Sequence, residues 1–180
     1  MTPATSDDLH GTLQSIVAAL RHAQASGRAW ALCDALTCAG RAYRILDAPK
    51  PALAVFDLAL RWSYACGSAD LRVDVLCELC ETHVQAVERL AAPAANEAEA
   101  AACRASAAQA RGLAYEAARL APQVTDACWE VKVLLRLSDL LDRIGDHDEA
   151  TALQGRAMMR EAGAPAPLRP EAADACGTLH

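Results

Sequence analysis

"AGRAYRILDAPKPALAVFDLAL", residues 39–60, is the stretch on which the fold turns. Gly40 and Tyr43 stand three apart on one apolar stripe. After a proline-broken turn, Ala52, Phe56 and Ala59 recur at helical spacing. The smallest residues therefore occupy faces that must pack. Gly and Ala at such positions let two helix backbones approach closely, as stacked helices require.

Composition agrees. A chain of 180 residues suits one compact domain or one short repeat array. Apolar residues make up 53% and can supply a core, while aromatics are only 4% and alanines number 43. Alanine is the best helix former, so this balance favours an all-α protein, and β-branched runs of period two are absent. The net charge is −6, with 15 Arg and only 2 Lys among the basic residues. A mildly acidic chain without a basic stripe is expected not to bind nucleic acid, because polyphosphate has the same sign. Arg in place of Lys, with abundant Ala, fits a GC-rich bacterial genome. The start, MTPATSDDLHGTL, has no basic stretch followed by a continuous apolar one. No segment reaches the roughly 18 uncharged apolar residues of a membrane span. A cytoplasmic location with no membrane contact is the expectation.

Helical periodicity runs through seven segments, about 7–25, 28–46, 51–66, 69–89, 96–120, 126–144 and 147–161. Ser6-Asp7-Asp8 suits the start of the first, where a capping side chain and negative charge are both favourable. Pro51 suits the first turn of the third, where its missing N–H costs nothing. "DAPKP", "AAPAAN", "APQVTD" and "GDHD" read as loops, and the fifth segment is very rich in Ala. Residues 1–6 read as a disordered N-terminus, 7–161 as the helical domain, and the Pro/Ala-rich 162–180 as a flexible tail.

The segments repeat. Shifting residue 40 onto 80, and 80 onto 138, aligns Gly40, Cys80 and Ser138, all small. Leu36, Leu76 and Leu134 align one turn earlier, and Tyr43, His83 and Leu141 about one turn later. In the helices that follow, Ala52 and Ala59 match Ala150 and Ala157. "LTCAGRAYRILDAPKPALAVFDLAL" and "LLRLSDLLDRIGDHDEATALQGRA", the latter with a turn glycine at Gly145, resemble the tetratricopeptide repeat family. About three degenerate units would cover 28–161, with unit spacings of 40 and 58 where the family uses about 34, and Leu at its tryptophan position. The first segment would be a cap or the second half of a lost unit.

The resemblance implies a right-handed α-solenoid of helical hairpins whose first helices line a concave groove. Carried over residue by residue, the groove would present Asp34, Thr37, Arg41 and Arg44 from the first unit. The second would give Asp74, Cys77, Glu81 and Gln85, and the third Lys132, Leu135, Asp139, Asp142 and Arg143. Arg41 and Arg44 project beside the Tyr43 stripe, so reversing their charge is expected to spare the core. The expected function is a non-catalytic adaptor, regulator or chaperone that needs no cofactor. Its partner would be a peptide or helix of another protein, and homo-oligomers are compatible with the reading.

"CELCETH" offers an alternative. Cys77, Cys80 and His83 recur at spacings able to meet a zinc ion, so a thiol- or metal-responsive sensor is a second class of function. The repeat supplies a packing role instead, since Cys80 fills the slot of Gly40 and Ser138. Eight cysteines within helical patterns, in a chain without a secretory signal, read as reduced small hydrophobes. His147 in "DHDE" falls at a turn, where polar residues cap the next helix. Trp30, Trp62 and Trp129 are expected to pack between units, and Met158-Met159 to lie on a terminal helix face. No G-x-G-x-x-G, P-loop, H-E-x-x-H or G-x-S-x-G motif occurs.

Overall fold

The computed structural model describes residues 6–90 and 96–163. They form seven α-helices and no strand. The helices are α1 (Ser6–Ser26), α2 (Ala29–Ile45), α3 (Pro49–Cys66), α4 (Ala69–Leu90), α5 (Glu97–Leu120), α6 (Ala127–Arg143) and α7 (His147–Gly163), with one 3₁₀ turn at Ala121–Gln123. Most of "AAPAAN", the segment 1–5 and residues 164–180 lie outside the described residues, so the disorder expected at 1–5 and 164–180 falls there. Ser6 belongs to α1, and α7 continues to Gly163, two residues beyond the expected end. Among the described residues no helix is long and apolar enough to cross a membrane.

The helix ends follow local chemistry. The α3 helix starts at Pro49 rather than Pro51, because both prolines fit a first turn whose N–H groups have no intrahelical partner. Asn96 Oδ1 accepts from Glu99 N at 2.9 Å and Asp126 Oδ1 from Cys128 N at 2.8 Å, capping α5 and α6. The turns after α2 and α6 are alike. Ala48 N–H reaches back to Tyr43 O and Asp47 N–H to Arg44 O; Asp146 N–H reaches Leu141 O and Gly145 N–H reaches Asp142 O. Both are Schellman turns, which place one residue in the left-handed region. Gly145 (φ 80°) fills that place in one, and Asp47 (φ 58°) in the other.

The helices pack as adjacent hairpins, α2 with α3, α4 with α5, and α6 with α7. Each hairpin rests on the next through α3–α4 and α5–α6, while α1 covers α2. The first helices α2, α4 and α6 also touch in sequence. One apolar cluster joins α2, α3 and α4 around Phe56, Val75 and Leu79. The other joins α4 to α7 around Leu76, Val84, Leu134, Leu137, Leu141 and Leu153. The α4 helix feeds both clusters and shows solvent little of its length. Buried alanines on α3 and α5, among them Ala52, Ala59, Ala110 and Ala114, permit the close approach.

The aligned small residues share one role, facing the second helix of their own hairpin. Cys80 Sγ donates to Ala110 O at 3.4 Å, and Ser138 Oγ donates to Ala150 O at 2.8 Å. At Gly40 the facing group is a side chain, the fully buried Phe56 ring, and a Cβ on Gly40 would lie 2.4 Å from Phe56 Cε1. Trp62 and Trp129 pack partly buried against the two clusters, as expected. Trp30 does not; it is 54% exposed on α2. Met158 and Met159 are exposed on the terminal helix.

Gly40→Ala should therefore lower stability by about 1–3 kcal/mol, since the enclosed Phe56 ring cannot move aside freely. Phe56→Leu added to Gly40→Ala should cost less than the sum of the two single changes. Urea denaturation midpoints of the four proteins of this cycle measure it; strict additivity would mean that the two residues do not collide.

Candidate functional site: the face shared by the first helices

On α4, Asp74, Glu78 and Glu81 recur at i, i+4 and i+7, so three carboxylates form one row. This row lies between α2 and α6, each of which turns arginines towards it. Arg41 Nη2 donates to both oxygens of Asp74 at 2.8 Å, and its Nε meets Glu78 Oε1 at 3.0 Å. Arg44 Nη2 meets Glu78 Oε2 at 2.7 Å, and its other terminal nitrogen pairs with Glu81. From the opposite side Arg136 Nη2 reaches Glu78 Oε1 at 2.9 Å and also pairs with Glu81. Three guanidiniums thus answer three carboxylates, and the row is neutral. At its centre the Glu78 side chain is only 3% exposed.

This corrects the expectation for Arg41 and Arg44. They are cross-helix counter-ions of a buried carboxylate, so reversing both charges would leave Glu78 among negative charges. Charged residues beside an apolar stripe usually face water, but here α4 is flanked on both sides and its polar face is covered as well. Thr37 and Cys77, also assigned to the groove, are buried. Thr37 Oγ1 donates to Cys33 O at 2.8 Å, satisfied within its own helix. Cys77 lines a cavity of about 100 Å³ with Asp74, Trp129, Lys132 and Arg136. Gln85 is half-buried further along α4.

The other expected groove residues lie in the open. Asp34 is exposed on α2, in one stripe with Trp30, Cys38 and Ile45. Lys132, Leu135, Asp139 and Asp142 form the exposed stripe of α6 together with Cys128. Arg143 crosses to α4, its Nε and Nη2 holding Glu88 at 2.8 and 2.9 Å. Asp142 Oδ1 lies 2.6 Å from His147 Nδ1, at the turn into α7.

Burial shapes the ionisation of these groups. Asp74 is pushed above the ordinary carboxylate range, first by burial and then by neighbouring Glu78, against the pull of Arg41. Glu81 is also raised by burial, but hydrogen bonds and charge from Arg136 and Arg44 outweigh that and hold it below 4.5. The guanidiniums of Arg41 and Arg136 resist deprotonation further than usual, since the facing carboxylates overcome the burial that opposes their charge.

Cys77, Cys80 and His83 diverge. Cys77 faces the α6 side, Cys80 bonds to α5, and His83 feels Asp57 of α3. Burial drives the Cys77 thiol far up and the Cys80 thiol to about 12, away from the reactive thiolate. Burial also lowers His83. Among the described residues no group of three His, Cys, Asp or Glu side chains is placed to hold a metal ion.

Glu78→Ala should destabilise the fold by about 3–5 kcal/mol, because removing one partner strands buried charge. Asp34→Ala should change stability by less than about 0.5 kcal/mol. Thermal and urea unfolding compare the two, and an equally mild Glu78→Ala would contradict the network. The share of stability contributed by Glu81 should be lost in acid, while Asp74, held above the ordinary range, works in the opposite direction. With Glu81 held below its ordinary 4.5, the unfolded chain takes up its proton first, so the stability it contributes is full above that pH and falls as pH drops through it. Melting temperature should decline from pH 6 towards pH 3 with a shallower slope in Glu81→Gln, whose melting at pH 6 is already lower; an unchanged slope would remove Glu81 from the linkage.

Compared with known proteins, the chain matches no protein-family model, no curated protein and no solved structure.

Proposed function

We propose that this chain is a non-catalytic protein-binding module of the tetratricopeptide-repeat kind, recognising a segment of a partner protein on the face shared by α2, α4 and α6. The observation that carries this reading is the pair of exposed stripes flanking α4. Trp30, Asp34, Cys38 and Ile45 stand on one side, and Lys132, Leu135 and Asp139 on the other. Between them the salt-bridged row fixes the helices, so the flanking side chains are presented in place before a partner arrives. Preorganisation of this kind lowers the cost of ordering on binding.

A binding role also fits the state of the reactive groups. The buried thiols are held protonated, and the carboxylates of the α4 row are neutralised by arginine. Tyr115, pushed up to about 12 by its hydrogen bond to Asp146, is a poor base or nucleophile at neutral pH.

Photo-crosslinking tests the reading. A crosslinking residue placed in native cells at Asp34, Leu135 or Asp139 should capture the same partner, identified by mass spectrometry. The same residue at Asp57, Tyr64 or Asp148, on helices α3 and α7, should not. Capture from the second set alone would move the binding surface to the other face, and no capture from either set would overturn the module.

A further inference from the structure

The salt-bridged row has a consequence for what the shared face can attract. Read from sequence, the face is mixed in charge, with Arg41 and Arg44 making one end basic and the acids of α6 the other end acidic. In the structure Arg41, Arg44 and Arg136 are neutralised by Asp74, Glu78 and Glu81, and Arg143 by Glu88. The charge left on the open stripes is therefore acidic. Asp34 is exposed, and among the described residues no ion pair forms at it. Asp139 is 69% exposed, with Arg143 as its weak partner at 3.5 Å. Asp142 is 62% exposed, with one oxygen 2.6 Å from His147 Nδ1 and the other side of the carboxylate open. The one ammonium, Lys132, shares a cavity wall with Glu161. On the same stripes Trp30, Ile45 and Leu135 expose 54%, 82% and 46% of their surface.

We infer that this face binds a partner segment in which Lys or Arg alternate with bulky apolar side chains. This rests on the module reading above and adds the chemistry of the partner. Apolar side chains would cover Trp30, Ile45 and Leu135, while cationic ones would meet Asp34, Asp139 and Asp142. Charge decides against the other occupants. A lipid headgroup or nucleic acid brings phosphate of the same sign. A second copy bound through the same face would bring one net acidic patch against another, and that repulsion opposes the contact.

The test uses the full chain and a fluorescein-labelled peptide of roughly 18 residues, Leu and Lys placed at helical spacing, with a twin carrying Glu for Lys. Anisotropy titrations should show saturable binding of the Lys peptide, weakening with salt, and none of the Glu peptide. The Asp34→Lys/Asp139→Lys variant should weaken it by about tenfold or more, and so should Trp30→Ala/Leu135→Ala. Asp57→Lys/Asp148→Lys, which makes the same change of charge on α3 and α7, should leave it unchanged. All of these side chains are exposed, and circular dichroism with thermal melting verifies the fold of each variant. Equal binding of the Glu peptide, no saturable binding, or equal weakening by the α3/α7 variant overturns the inference. If these fail while crosslinks from Asp34, Leu135 and Asp139 still capture one partner, the chemistry assigned to that partner is wrong and the module stands. If the crosslinks fail too, the module falls with it.

Discussion

The structure depends on a carboxylate that α4 carries into its interior. Glu78 meets guanidiniums from both neighbouring first helices, and its three salt-bridge contacts come from Arg41 and Arg44 of α2 on one side and Arg136 of α6 on the other. An apolar seam would tolerate sliding of one helix past another by a fraction of a turn. A carboxylate shared among arginines does not, because each bond needs its own distance and direction. The spacing of Asp74, Glu78 and Glu81 along α4 thus sets the register of the first and third hairpins relative to the second. Dispersion and apolar burial hold the hairpins together, within each and across α3–α4 and α5–α6, and ionic geometry fixes the first helices against one another.

Energetically this arrangement is two-sided. A buried ion pair seldom surpasses a well-packed apolar contact, yet removing one partner is costly. The middle helix is therefore intolerant of single changes on its charged face, while the exposed stripes beside it tolerate them. That separation is useful to a binding surface: the residues that hold its shape are distinct from those that would meet a ligand, so the second set can vary without loss of the first.

Much of the fold was legible because local signals agreed. The seven periodic segments became seven helices, with boundaries set by Asn96, Asp126, Gly67 and the two Schellman turns. The alignment of Gly40 with Cys80 and Ser138 located a shared packing slot, although it could not show that a phenylalanine ring occupies it at Gly40. The charged row was harder to see. A carboxylate at helical spacing on an amphipathic helix reads as solvated, and only the packing of α4 between two other first helices covers it. A signal was nevertheless present: an acidic row on one segment and arginines on the segments before and after it. Pairing those rows would have removed Arg41 and Arg44 from the free surface and brought in Glu78 and Arg136. Thr37 and Cys77 misled for a related reason, since small polar residues fit a buried helix contact as well as a groove.

The hairpins differ in length. The helices α4 and α5 have 22 and 24 residues, against 17 and 18 for α2 and α3. At about 1.5 Å per residue this carries the middle hairpin some 7–9 Å beyond its neighbour. Burial in α5 begins in earnest only at Ala110, and α4 opens to solvent from Glu88. The surplus turns lie at the distal tip, beyond both apolar clusters and beyond the ionic row. Glu88 and Arg89 at the end of α4 still reach Arg143 and Asp47, so it is on the α5 side of the tip, before Ala110, that residues can be gained or lost without moving either interface. The tip is where an ancestral chain could lengthen, accept an inserted segment or shed one while its neighbours kept their places.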